Sequence, residues 1–274
     1  MGAEREYILG TDRAELERLE FQHHVWVAQL YELAARAGLR TGAHVLDLGC
    51  GPGFTSLELA RIVGPSGRVI ACDASERFLE FLRGERERRG LPQIEPRLAR
   101  VEELDLARSS LDAVYARWLF CWLPDPGAAL ARVATLLRPG GMLILQDYVD
   151  WGGMKLLPRS AVFERGVLAC MQSWKDGGSS IDVMELLPGL ARTAGLAVEL
   201  FQPRARLGAV GSLEWRWIEE FFLAYLPKLV AQGRFPAAEL EAWRAEWSSR
   251  AADGASCVLA PTMADLVLRK PGPL

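Results

Sequence analysis

VLDLGCGPGF, residues 45–54, decides how this chain is read. A short apolar run from Val45 to Leu48 ends in three closely spaced glycines, Gly49, Gly51 and Gly53, and a helix-forming stretch begins at Thr55. Glycine has no Cβ, so such a loop can turn tightly and bring its backbone close to a bound group. A dinucleotide loop spaces its glycines as G-x-G-x-x-G. Here the third glycine comes one residue early, and Phe54 stands where that pattern has glycine. Asp47 lies just ahead of the loop. The arrangement suits a ligand without a pyrophosphate, such as S-adenosylmethionine.

Downstream, Arg68–Cys72 is a second short apolar run, and Asp73 closes it 20 residues beyond Gly53. A carboxylate there accepts ribose hydroxyls. The flanking segments keep one rhythm: helix at Glu76–Arg89, strands at Glu95–Ala99 and Leu111–Ala116, helix across Gly127–Leu137, the turn Arg138-Pro139-Gly140-Gly141, and a strand at Met142–Gln146. Strand and helix alternating at this spacing predict a parallel sheet with crossover helices. Upstream, residues 12–37 carry Leu16, Leu19, Trp26, Leu30 and Leu33 at helical spacing. After Asp150 the rhythm breaks. Helices are expected at Ala161–Trp174 and Leu186–Ala194, a strand at Ala197–Phe201, no strand over the following 55 or so residues, a helix at Ala237–Arg250, and a last strand at Thr262–Arg269.

The chain is 274 residues long, half of them hydrophobic, with a formal net charge of −3. That balance offers no basic face for nucleic acid. The arginines of 83–100 are interleaved with Glu85, Glu87 and Glu95, which reads as a solvated helix face. The N-terminus has no apolar signal core, and Glu6 stands where myristoylation needs Ser or Thr. No apolar run reaches the ~18 residues of a membrane span. The five cysteines are scattered, with no CxxC pair. Cytoplasmic localisation with reduced thiols is expected, with no nucleic-acid or membrane partner.

Five segments in order resemble the class I (Rossmann-like) S-adenosylmethionine-dependent methyltransferases of small molecules: 45–54, 69–82 (VIACDASERFLEFL), 100–104 (RVEEL), 111–126 (LDAVYARWLFCWLPDP) and 136–147 (LLRPGGMLILQD). The resemblance implies an α/β fold: a seven-stranded, mostly parallel sheet with helices on both faces, an antiparallel last strand and helical lid inserts. It divides the chain into a flap (1–38), a cofactor core (39–150), a helix insert with the sixth strand (151–206), a helical lid (207–255) and the last strand (256–274). It also implies roles. Gly49, Cys50, Gly51 and Gly53 face the methionine half of the cofactor, Asp47 orders its amino group, and Asp73 with Ala74 holds the ribose. Val101 and Glu102 flank the adenine, although Arg100 replaces an acid that many relatives carry there. Arg117, followed by Trp118, meets the methionine end and its carboxylate. In the flap, Tyr7 and Gln22 are expected to hydrogen-bond the cofactor and Trp26 to pack on it, or to staple the helix to the core.

Methyl transfer from a sulfonium needs alignment and exclusion of water, and for some acceptors a base. Candidates for that catalytic role are His23 or His24, of which at most one faces the site from a helix, together with Asp147 and Tyr148. Ala116-Arg117-Trp118-Leu119 lacks the Asn/Asp-Pro-Pro-aromatic set of adenine and glutamine N-methylation, and lacks the acid of a catechol-type magnesium site, so no metal is expected. Trp215, Trp217, Phe221, Phe222 and Tyr225, with Trp151 and Trp174, either wall an apolar acceptor pocket or form core or a homodimer seam. The expected reaction is metal-independent O-, N- or C-methylation of an apolar or aromatic small molecule, with S-adenosylhomocysteine as product. The alternatives are an RNA or protein methyltransferase, a nicotinamide dehydrogenase and a non-catalytic cofactor-binding module.

Overall fold

The computed structural model describes residues 13–272. In chain order its elements are α1 (Arg13–Ala37), β1 (His44–Leu48), α2 (Phe54–Val63), β2 (Arg68–Asp73), α3 (Glu76–Arg89), β3 (Ile94–Leu98), β4 (Leu111–Arg117), α4 (Pro126–Leu136) and β5 (Leu137–Asp150). Then come β6 (Lys155–Leu157), α5 (Ala161–Asp176), α6 (Leu187–Thr193), β7 (Ala197–Arg204), β8 (Leu207–Ala209), α7 (Leu213–Ala231), α8 (Ala237–Asp253), β9 (Cys257–Leu259) and β10 (Thr262–Arg269). Several helix starts follow from local chemistry. Ser75, Asp125, Ser160 and Ser212 each accept a backbone N–H of the first turn, and Pro126 opens α4, where its missing N–H is no loss.

The main sheet runs β3-β2-β1-β4-β5-β10-β7. β3, β2, β1, β4 and β5 are parallel, and β10 is antiparallel to both β5 and β7. This is the seven-stranded sheet with an antiparallel last strand that the sequence predicts. Two apolar clusters cover its faces, as a period-2 strand buried on both sides requires. Val45, Val69, Ala113 and Ile144 meet α2 and the C-terminal half of α1, whereas Leu46, Leu48, Val114 and Leu145 meet the opposite layer and the lid. Chain order reverses between β1 and β4. Ligands of open α/β sheets bind in the crevice at the carboxyl ends of strands around such a point.

The region without expected strands differs. β6, β9 and β8 form a second, antiparallel three-stranded sheet. Three-residue strands are too short to show alternation, and their partners lie far apart in sequence, so only tertiary pairing creates them. β5 also runs longer than the apolar run, because Leu137 already pairs with Leu111 of β4, ahead of an irregularity that takes up 138–141.

One buried polar chain docks α1 on the sheet. Tyr115 Oη donates to Gln146 Oε1, and Gln146 Nε2 donates to Asp265 Oδ1 at 2.8 Å. Arg204 then links Asp265 to Glu32 of α1 with two 2.6 Å contacts. Fully bonded, such a chain fixes the position of α1 over the strand ends. No helix among the described residues is long and apolar enough to cross a membrane.

Candidate active site

The glycine loop closes on the end of β2. Gly49 and Cys50 donate their N–H groups to Cys72 O at 2.8 and 2.9 Å. Gly51 N–H donates to Asp73 Oδ2 at 2.8 Å, and Ser75 N–H to Asp73 Oδ1 at 2.9 Å. The Asp73 carboxylate is therefore pinned by both oxygens yet keeps lone pairs free. Burial raises its pKa, a cost that further donors would offset.

The three glycines do different work. All have positive φ, at 70°, 53° and 85°. A Cβ on Gly49 would lie 2.8 Å from Leu119 Cδ1, and one on Gly53 would lie 2.3 Å from Leu82 Cδ1. Those two glycines admit side chains of the protein itself. Only Gly51 faces open space, so the backbone that a ligand can approach is narrower than the whole loop.

Asp47 sits at the end of β1 with 2% exposure, and Ser56 Oγ donates to its Oδ2 at 2.5 Å. Burial pushes its pKa up to about 7. Arg117, at the end of β4, lies close enough to pull against that shift. Its Nη2 donates to Thr55 Oγ1 at 3.0 Å and meets His23 Nδ1 at 2.8 Å. Its Nη1 is buried with no partner among the described residues. A guanidinium with one fork clamped and the other unpaired is set to receive an anion.

His23 is thus not a free base. Its burial, then the Arg117 charge, pushes its pKa down to about 3, and a neutral ring uses Nδ1 to accept from Arg117. It positions Arg117. His24 is exposed, so only His23 of the pair turns inward, as helical spacing requires.

Other expected contacts fall elsewhere. Trp26 has no exposed surface; it meets Trp118 and Trp217 edge-on, with Arg206 over its ring, and so staples α1 to the core. Asp147 is 1% exposed, and its oxygens accept from Tyr148 N and Cys121 N, so it brackets the turn after β4. Burial raises its pKa to about 6. Glu102 is exposed beside Arg100, while Val101 is buried in the apolar cluster next to it. Ala74 is exposed at the end of β2. Tyr7 lies outside the described residues. Gln22 lines a small cavity with Tyr148, Trp151, Met154, Trp217 and Phe221. The aromatic stripe therefore divides: Trp151, Trp217 and Phe221 reach the cavity, while Trp215 and Phe222 join Trp243 and Trp247 in the lid core.

Two contributors escape sequence reasoning. Thr55 and Ser56 hold Arg117 and Asp47; their only signal is their place in the first turn after the loop. Trp118 has φ 52°, a left-handed conformation that costs a bulky residue about 1–2 kcal/mol. Its N–H bonds Gln146 O at 3.0 Å, its Nε1 meets Met263 Sδ at 3.1 Å, and the Arg117 guanidinium lies over its ring. Strain of this kind concentrates at functional sites.

The donors and acceptors fit one kind of ligand: a carboxylate for Arg117 Nη1, a cation for Asp47 and a diol for Asp73. Among the described residues, no group of three or more His, Cys, Asp or Glu is placed to hold a metal. Residues 45–141 match the family model described as a methyltransferase domain. The chain is similar to trans-aconitate 2-methyltransferase of an Azoarcus species, 39% identical over 42% of this chain and 43% of that protein. It is also similar to demethylmenaquinone methyltransferase of Lactococcus lactis, 32% identical over 45% and 48%. The chain thus spans less than half the length of these curated relatives. A solved S-adenosylmethionine-dependent methyltransferase from Aquifex aeolicus shares the fold, with a TM-score of 0.54 and 20% identity over 70% of this chain and 92% of that one. The loop, the strand order and the family match agree, and residues 45–141 belong to the class I, Rossmann-like, S-adenosylmethionine-dependent methyltransferases.

Proposed function

We propose that the protein transfers a methyl group from S-adenosylmethionine to an apolar small molecule without a metal ion. The observation that carries this reading is the convergence of Asp47, Asp73 and the unpaired Arg117 Nη1 at the glycine loop. Bound there, the cofactor supplies an electrophilic sulfonium methyl. Asp73 accepts the ribose hydroxyls, and its two backbone donors keep it from turning away. Arg117, held by His23 and Thr55, takes the carboxylate. Asp47, oriented by Ser56, faces the amino group directly or through water.

We assign the acceptor side to the aromatic wall beneath α1 and α7, whose gap of about 10 Å³ has to widen to take an acceptor. Its walls exclude water, and alignment within them supplies most of the rate. The acceptors named for two relatives, trans-aconitate and demethylmenaquinone, are small molecules, one a polycarboxylate and one apolar, and so support a small-molecule acceptor. Calorimetry of the purified protein with S-adenosylmethionine, S-adenosylhomocysteine and NADH tests the reading. Binding of the first two but not NADH is expected. Binding of NADH alone, or methylation confined to RNA or protein in a fractionated lysate, would sink it.

A further inference from the structure

A groove of about 450 Å³ runs between α5 and the segment that leads from it to α6. That is the size of a small-molecule site. The groove shares no residue with the glycine loop or with the acceptor wall. Leu168 and Met171 stand one turn apart on α5, and Ile181 and Leu186 line the other side. Leu168 is 63% exposed and Leu186 47%. Apolar side chains left in water around a recess are surface that an apolar ligand can cover.

The charged groups of the lining are not equivalent. Asp182 is half-buried. Its Oδ1 accepts Trp151 N–H at 2.6 Å, and its Oδ2 has no partner among the described residues. Burial raises its pKa, the Trp151 bond lowers it, and the neighbouring Asp150 and Glu185 carboxylates raise it again. Negative charge is therefore crowded around an oxygen that is half out of water. An ammonium group placed there relieves that repulsion and also gives Oδ2 a donor. Glu185 lines the groove as well, so a ligand anion would meet two carboxylates. Lys175, the cation in the lining, is exposed, where water and salt screen it.

We propose that this groove binds an apolar primary amine, its ammonium on Asp182 Oδ2 and its hydrocarbon against Leu168, Met171 and Leu186. The site is separate from the methyl-transfer site and stands without that reading. A neutral ligand of the same shape gains only the apolar contacts.

Calorimetry on the full chain tests this with 3-phenylpropylamine, 3-phenylpropanol and 3-phenylpropanoate, which share one hydrocarbon and differ in charge. The amine should bind about tenfold tighter than the alcohol, the low end for a hydrogen bond to a charged group, because Asp182 is only half-buried. The carboxylate should bind more weakly than the alcohol. Asp182→Asn keeps an oxygen for Trp151 N–H and should bring the amine to the affinity of the alcohol. Leu168→Ala, at an exposed position on α5, should weaken amine and alcohol by the same few-fold factor and leave the preference intact. Saturating S-adenosylhomocysteine should displace none of the amine. The proposal is overturned by equal affinity for amine and alcohol, by no binding of the amine, or by an amine preference that survives in Asp182→Asn. It is also overturned if Leu168→Ala changes neither affinity, or if S-adenosylhomocysteine displaces the amine, which would put the amine in the cofactor cleft.

Discussion

The two halves of the candidate site are built by different means. The half at the glycine loop is made of backbone and strand tips. Gly51, Asp73 and Ser75 lie within 25 residues of one another and are joined by bonds of 2.8 and 2.9 Å. The half beneath the lid is made of side chains gathered from α1, the end of β5 and α7, with Gln22 meeting Trp217 and Phe221 across nearly 200 residues of chain. The first half is specified by local geometry, which tolerates little change. The second is a packing solution, which a different set of aromatic residues could also satisfy.

That contrast can be broken from either side. Trp243, 1% exposed and stacked on Trp247, belongs to the lid core. Trp243→Ala should lower unfolding free energy by about 3–5 kcal/mol in denaturant melts. The folded fraction should still bind S-adenosylmethionine as wild type does; a parallel loss would mean that the halves are not separable. Asp73→Ala should weaken S-adenosylmethionine about 100-fold in calorimetry, the worth of two hydrogen bonds to a charged group. It should weaken 5′-methylthioadenosine, which has the ribose but no amino acid, by the same factor. Arg117→Gln should cost S-adenosylmethionine about tenfold and leave 5′-methylthioadenosine unchanged, dividing the first half again.

A pH effect follows from Asp47. Its folded pKa, pushed up to about 7 by burial, lies above the ordinary carboxylate value. The folded protein therefore holds a proton that the unfolded chain has lost, and this contribution to stability declines as pH rises from about 4 through 7. Cofactor binding runs the opposite way. An ammonium group needs the ionised carboxylate, so affinity should fall up to about tenfold per unit as pH drops below 7. Asp47→Asn should flatten that slope in calorimetry across pH 5–8. The smallest expected effect belongs to His23. His23→Ala leaves Arg117 its Thr55 contact and should weaken S-adenosylmethionine a few-fold; His23→Asn, whose amide oxygen can accept from Arg117, should recover most of it. If His23 were a base, Asn would rescue nothing and turnover, not affinity, would collapse.

Legibility in the sequence followed the same division. The α3 boundaries, Glu76 to Arg89, are readable because Ser75 caps one end and Gly90 the other. Gly49, Gly51, Gly53 and Asp73 are readable because strand, loop and helix meet within a short stretch. Gln22 and Trp26 were readable as flap residues facing inward but not in their roles. Helical spacing gives a direction, not a partner, and the partners arrived from α7 and from Arg206. Asp147 looked available because it ends a strand; Cys121 N–H, from the turn after β4, takes one of its oxygens and Tyr148 N–H the other.

By itself, then, the sequence determined the order of the main-sheet strands and the helices between them, the turn that needs three positive-φ glycines, and the acid at the end of β2. Periodicity, glycine and capping act over a few residues, and their physics is written locally. The tertiary structure alone decided that Gly51 is the open glycine, that His23 holds Arg117, that Trp118 takes a left-handed conformation, and that Gln22 lines an aromatic cavity. Each of these depends on which side chain arrives from far along the chain, and burial then sets its charge and its bonds.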